Sequence, residues 1–312
     1  VLLSCAEQML GDRPLATKLA LVRDAGFDGI DLRMGTLSDP DARRVLDAGD
    51  LRVGAIYSQI REPCLLSATA AERAAAVDRV VACARAAHDV GAANLIVVPV
   101  FGQRRLRLPL THARDGAAIP PNSDAQKGSA PQGEATLIDS DSVVRNLVGS
   151  WRAVEVGLLL AGLVEVAERI ADLDVTVTIE PLNRTETYFL TNPAEAAAVC
   201  TAVGSPRIAT MVDTYHCARE GQDIPAMIAA AGERVALLHL SDTERQLPGD
   251  GDIDFAPVLQ AVCDLGYTGW MGLECRPVGE LDDLRRSVEY LRGVWPAGPS
   301  ASAADVEREV GR

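Results

Sequence analysis

The sequence predicts a (β/α)8 TIM barrel over residues 1–295, interrupted after its fourth strand by a long insertion at 102–141 and followed by a C-terminal tail at 296–312. Three observations carry this prediction. Eight short β-branched runs alternate with eight longer stretches rich in Ala, Leu, Arg and Glu, the arithmetic of a barrel of roughly 250 residues plus insertions. The runs are almost continuously apolar, as in a parallel sheet covered on both faces. The dinucleotide fingerprint GxGxxG is missing after the first run, which weakens the doubly wound sheet that would show the same alternation.

In chain order, strands are expected at 2–5, 29–33, 53–58, 94–100, 175–181, 208–213, 235–241 and 270–275. The intervening helices are expected at 14–25, 39–48, 69–90, 151–173, 192–203, 224–231, 254–265 and 281–295. Gly26 in DAGFDG and Gly266 in DLGYTG fall where a helix C-cap precedes a strand. Asn192-Pro193 reads as an N-cap followed by proline at the first helical position, and Asp254 caps the helix that opens at Phe255. The insertion breaks this rhythm with a Pro/Gly/Ser/Gln-rich middle and no sustained period. So long a loop in a compact domain is functional or partly disordered, and limited proteolysis is expected to cut it first. It follows the fourth strand, so it belongs over the C-terminal face, where barrel active sites lie. Its Arg104, Arg105 and Arg107 read as a solvated basic patch, with a substrate phosphate as the alternative partner.

Composition narrows the function classes. Apolar residues make up 48% and charged residues 24%, so the chain has ample material for a core and is not low-complexity. Thirty Lys+Arg against 44 Asp+Glu leave a net charge of −14, which repels phosphate backbones and anionic lipid. Neither nucleic acid nor a membrane is therefore an expected partner. The most apolar window, 156–166, contains Gly157, Gly162 and Glu165 and is too short to span a bilayer. Seven cysteines, an odd number without a CxxC pair, suggest a reducing compartment. The opening residues lack a basic n-region and a small-residue cleavage site, so a cytoplasmic location is expected.

The chemistry concentrates at the ends of the last four strands. VTVTIE ends in Glu180, IATMVD in Asp213, VALLH in His239 and WMGLE in Glu274, at spacings of 33, 26 and 35 residues, each about one βα unit. Consecutive parallel strands are neighbours in a barrel, so the four side chains should meet near one end. Acids are depleted in strands, and buried charges are costly unless paired or metal-bound. One such acid alone reads as a strand cap or an arginine partner, but four in phase point to a metal site. Two Glu, one Asp and one His suit one divalent ion of borderline to hard character, with Mn, Mg, Co and Zn all open. Just beyond these ends, Glu186, His216 and Arg245 are expected to project into the mouth of the barrel.

The segments TIEPLNRTE (178–186), MVDTYH (211–216), LHLSDTERQLPGDGDIDF (238–255) and GYTGWMGLEC (266–275), with GFDGIDLR (26–33) in the first half, resemble the sugar phosphate isomerase/epimerase family with a xylose-isomerase-like barrel. The similarity is greatest to the ketose 3-epimerase branch. It implies that Glu180, Asp213, His239 and Glu274 are metal ligands, and that Glu186, His216 and Arg245 bind substrate hydroxyls. The insertion has no counterpart in that family. The related endonuclease IV branch binds three zinc ions through many histidines, whereas this chain has four, at 88, 112, 216 and 239.

The expected activity is therefore metal-dependent isomerisation or epimerisation of a small ketose or related polyol ketone. Proton transfer would run through an enediolate, with Glu180 and Glu274 as catalytic base and acid on opposite faces. Two alternatives stay open: a dehydratase or lyase acting on a cyclic polyol ketone, and a catalytically silent sugar-binding barrel. The sugar, its phosphorylation and the size of any homo-oligomer are not set by the sequence.

Overall fold

The strands form where β-branched and aliphatic runs can be buried on both faces, and they close on themselves in sequence order. In the computed structural model, which describes residues 1–102 and 140–298, these are β1 (Leu2–Ala6), β2 (Gly29–Arg33), β3 (Arg52–Tyr57), β4 (Asn94–Val97), β5 (Thr176–Ile179), β6 (Ile208–Asp213), β7 (Val235–Leu240) and β8 (Trp270–Leu273). All pairings are parallel, and β8 returns to β1 in the register Leu2–Trp270 to Cys5–Leu273. Most of the insertion, with Arg104, Arg105 and Arg107 and the stretch expected to be cut first by protease, lies outside the described residues. So does the tail from residue 299.

The helices are α1 (Leu15–Asp24), α2 (Met34–Leu37), α3 (Ala42–Asp47), α4 (Ala70–Asp89), α5 (Ser140–Arg169), α6 (Pro193–Val203), α7 (Thr214–Arg219), α8 (Ile224–Ala231), α9 (Phe255–Asp264) and α10 (Leu281–Val294). Their caps follow the sequence signals. Asn192 Oδ1 accepts from the amides of Ala194 and Glu195, and Asp254 Oδ1 accepts from Ala256. Gly26 and Gly266 lie in the left-handed region (φ 88° and 68°), which ends α1 and α9 without the Cβ clash of other residues.

The structure departs from the sequence reading in two ways. Helix α5 begins at Ser140, well before the expected start at Trp151. Gly149 does not interrupt it, since a glycine inside a helix costs only about 1 kcal/mol against alanine. Helices α2 and α7 and the 3-10 turns Glu7–Leu10 and Thr243–Arg245 are too short to leave a periodic signature.

Two packed regions result. The larger fills the space between sheet and helices, with Ile30, Leu32, Leu95, Leu163 and Ile179 among its fully buried members. The smaller consists of Ala55, Ile96, Met211, Leu237 and Trp270. Residues two apart on a strand share a face, so Met211 lies beneath Asp213, Leu237 beneath His239 and Trp270 beneath Gly272. This small cluster is the barrel's inner floor, and the polar strand ends stand above it. No helix among the described residues is long and apolar enough to cross a membrane, and all seven cysteines are free.

Candidate metal centre

Each of the four strand-end side chains is placed by its own strand. Glu180 follows β5, and its amide still donates to Val97 O (3.1 Å) as a continuation of the β4–β5 ladder. Asp213 ends β6 and caps α7, its Oδ1 accepting from His216 N at 3.1 Å. His239 pairs in register with Asp213 on one side and Gly272 on the other, and Glu274 follows β8. One ligand atom from each of the four lies within 4.8 Å of the others. Glu180, Asp213 and His239 are buried, and Glu274 is partly exposed. The in-phase strand ends of the sequence do converge.

Arg245 lines the cavity at this end of the barrel and is engaged there with the strand-end carboxylates. Its Nη1 lies 2.8 Å from Asp213 Oδ2 and 3.0 Å from Glu274 Oε2, and its guanidinium stacks on Tyr215 with 4.4 Å to the ring centroid. The Arg245 Nη2 also sits 3.0 Å from His216 Nε2. His216 is buried, and its Nδ1 is 2.8 Å from Asn183 Nδ2, which donates to Glu186 Oε1 at 2.8 Å. Glu186 is the most open of the seven, with a side chain 44% exposed.

The charges are set by burial and by one another. Burial, reinforced by the nearby Glu274 charge, pushes Glu180 up to about 8. Burial works the same way on Asp213 and Glu274, but Arg245 and the histidines outweigh it and hold both below the usual carboxylate range. Burial alone would lower His239, yet Asp213 and Glu274 raise it to about 10. His216 is held low by its burial.

The residues present fit a divalent cation on two grounds. Three carboxylates and an imidazole form the donor set that such ions take. In addition, His239 Nδ1 is buried without a hydrogen-bond partner, although Glu274 Oε2 is 3.2 Å and Asp213 Oδ2 3.6 Å away. That lone nitrogen faces the carboxylates, while Nε2 on the other side approaches the Tyr57 hydroxyl at 3.4 Å. A second partner of this kind orients an imidazole toward a metal.

Three polar residues here were not read from the sequence. Gln8, in the turn after β1, donates to Glu274 Oε1 at 3.1 Å. Tyr57 ends β3. Asp31, fully buried in β2, accepts from Ser4 Oγ at 2.7 Å and has an Oδ1 without a partner. Burial raises Asp31 to about 6, against the pull of His239. A Cβ at Gly54 would come within 2.6 Å of Asp31 Oδ1, and one at Gly272 within 2.5 Å of Oδ2, so the carboxyl occupies a socket that two glycines leave open. The acid inside the otherwise apolar run GIDL was the available signal for it.

The loop after β7 carries Arg245 on strained backbone. Glu244 and Arg245 both have positive φ (55° and 59°). Asp242, fully buried, holds the turn: Oδ1 accepts from Thr243 N (2.8 Å) and Ile253 N (2.9 Å), and Oδ2 accepts from Gly249 N (3.1 Å) and Gly251 N (3.0 Å).

The model of the xylose isomerase-like TIM barrel family matches residues 19–294. The chain is 35% identical over 105 residues to a D-psicose 3-epimerase of Enterocloster bolteae, covering 34% of this chain and 35% of that protein. It is 28% identical over 193 residues to an L-ribulose 3-epimerase of Mesorhizobium japonicum, covering 55% and 64% respectively. Each match therefore spans less than two thirds of the relative's length. Among solved structures, the D-allulose 3-epimerase of a Methylomonas species in complex with D-allulose superposes with a TM-score of 0.71 at 18% identity, over 95% of this chain and 97% of that one. That likeness concerns the fold.

Proposed function

The chain belongs to the xylose isomerase-like TIM barrel family, and from that premise we propose that it is a divalent-metal-dependent isomerase or epimerase of a small ketose or related polyol ketone. The observation that carries the reading is the convergence of Glu180, Asp213, His239 and Glu274 within 4.8 Å at the end of the barrel, beside a cavity that Glu180 and Glu274 both line. The ketose 3-epimerases among its relatives, together with a 2-oxo-tetronate isomerase of Cupriavidus necator, support the same reaction class.

Glu180, Asp213, His239 and Glu274 would hold the cation, whose Lewis acidity weakens the C–H bond next to a substrate carbonyl. The chain's own groups then do the rest. Two carboxyl groups lining one cavity can remove a proton and return one, Glu180 and Glu274 in these roles on opposite faces of an enediolate. Return to the opposite face of the same carbon gives an epimer, and return to the neighbouring carbon gives the aldose–ketose isomer. Arg245, His216 and Glu186 would bind substrate hydroxyls from the same wall. His216 is pinned by Asn183, whose backbone N–H donates to Nδ1, so the ring is oriented before substrate arrives.

Elemental analysis of protein purified without chelator tests the metal, with about one divalent ion per chain expected. Incubation with candidate ketoses in deuterated water tests the chemistry, with solvent deuterium expected at the carbon next to the carbonyl and substrate mass otherwise conserved. A metal-free protein that exchanges no deuterium into any ketone would refute the proposal, and loss of water would indicate elimination.

A further inference from the structure

One positive charge in the cavity stands apart from the network around the strand ends. Arg61, on the loop after β3, lines the same cavity as Glu180 and Glu274, together with Phe101. Its guanidinium carbon lies 4.3 Å from the Phe101 ring centroid, a stacked placement that fixes the group without using its donors. No carboxylate pairs with it among the described residues. The adjacent Glu62 is engaged elsewhere, its carboxylate with Ser67 and its carbonyl with Arg79. Gln59, on the same wall, is held at a positive φ of 53°, a conformation that surrounding structure must enforce.

A guanidinium stacked on a ring keeps its N–H groups in one plane and open, the arrangement that binds an oxyanion through two parallel hydrogen bonds. The chain's net charge is −14 and the cavity is lined by Glu180, Glu186 and Glu274, yet among the described residues none of these carboxylates pairs with the exposed Arg61. The cavity measures about 220 Å³, smaller than the roughly 300–1,000 Å³ of pockets for drug-sized ligands, so one small molecule would reach from Arg61 to the strand-end carboxylates. Glu186 lies in the same cavity but is tied to Asn183, on the wall that carries His216. A neutral ketose would leave Arg61 without a counterion among the described residues.

We propose that Arg61 forms an oxyanion subsite, and that the substrate is a small polyol ketone with a carboxylate or phosphate at the end remote from its reacting carbonyl. This proposal rests on the carbohydrate isomerase/epimerase reading. Its test is binding, so the two can fail separately.

The experiment is calorimetric titration of the metal-loaded protein with an aldonate, the alditol of the same chain length, and that alditol's phosphate ester. The wild type should bind one anionic probe at least about tenfold more tightly than the alditol, the effect of one charge-assisted pair. The aldonate winning identifies a sugar-acid substrate, and the phosphate ester winning a sugar phosphate. Arg61→Gln should abolish that preference without changing alditol affinity, and Arg61→Lys should keep part of it. Equal affinities, or no binding of any probe, would overturn the proposal. So would a preference that survives Arg61→Gln, because the strand-end cluster would then be reading the anion. Absence of deuterium exchange with every ketone would instead refute the parent reading and leave the binding result standing.

Discussion

Glu180 and Glu274 are chemically alike, and their surroundings set them apart. Burial lifts Glu180 to about 8, while Arg245 and His239 hold Glu274 low despite its burial. A pair of acids pushed in opposite directions suits the divided proton-transfer roles proposed for them. Glu180→Gln and Glu274→Gln should each lower turnover by at least about a hundredfold, the usual range for general acid–base groups. Metal content must be measured alongside, and full activity with a normal metal load in either variant would remove the paired-carboxylate assignment. The same shifts give metal binding a pH dependence. Protons on Glu180 and on His239, the latter raised to about 10, must leave before those atoms can coordinate. Affinity should therefore fall as pH drops from about 8 to about 6, on the order of tenfold per pH unit for each proton displaced. Titrations in buffers of different ionisation enthalpy will count the protons released, and a count of zero would contradict the shifts.

Among the elements, the loop after β7 is the one whose backbone is held against its preferences. The buried Asp242 accepts four hydrogen bonds from a turn containing two non-glycine residues at positive φ. Asp242→Ala would strand those amides and release Arg245, at a stability loss on the order of 3 kcal/mol. Steady-state kinetics of that variant should show a raised KM with metal content retained, since the four candidate ligands lie outside this turn. The turn after β1 has an acid-sensitive counterpart. Burial alone would raise Glu7, but the Thr36 hydroxyl, the Arg33 amide and Lys18 outweigh it and hold it low. A depressed carboxyl contributes stability that is fully present above its unfolded value, about 4.3, and is lost as pH falls through the lower folded value. Urea unfolding at about pH 3 and pH 7 should show a smaller acid loss in Glu7→Gln than in the wild type.

At the scale of the molecule, four of eight strands contribute to one centre, so its occupancy couples to closure of the barrel. A cation bound only by the folded chain at a hundred times its Kd adds about 2.7 kcal/mol, which for a chain of this size is a Tm rise of roughly 5 °C. Removal of metal with a chelator should lower Tm by that order, and re-addition should restore it. A Tm indifferent to chelation in protein shown to lose its metal would mean that the four side chains do not act together on the ion.

The sequence by itself determined the barrel and the four converging side chains. Both follow from local repetition: a βα unit of about 35 residues, a strand phase of two, and a polar residue recurring at the same point of each late unit. It did not determine what surrounds them. Gln8 meets Glu274 across 266 positions and Tyr57 meets His239 across 182, contacts made because the first strands close against the last. Asp31 was visible as an acid in an apolar strand, but its socket needs Gly54 and Gly272 from two other strands. Arg245 was placed in the right region, but its partners were not legible, because its salt bridges to Asp213 and Glu274 depend on a turn held by Asp242. Periodicity is a property of neighbours along the chain. Pairing of charges, orientation of an imidazole and the shape of a socket belong to neighbours in space, and only closure of the barrel brings those together.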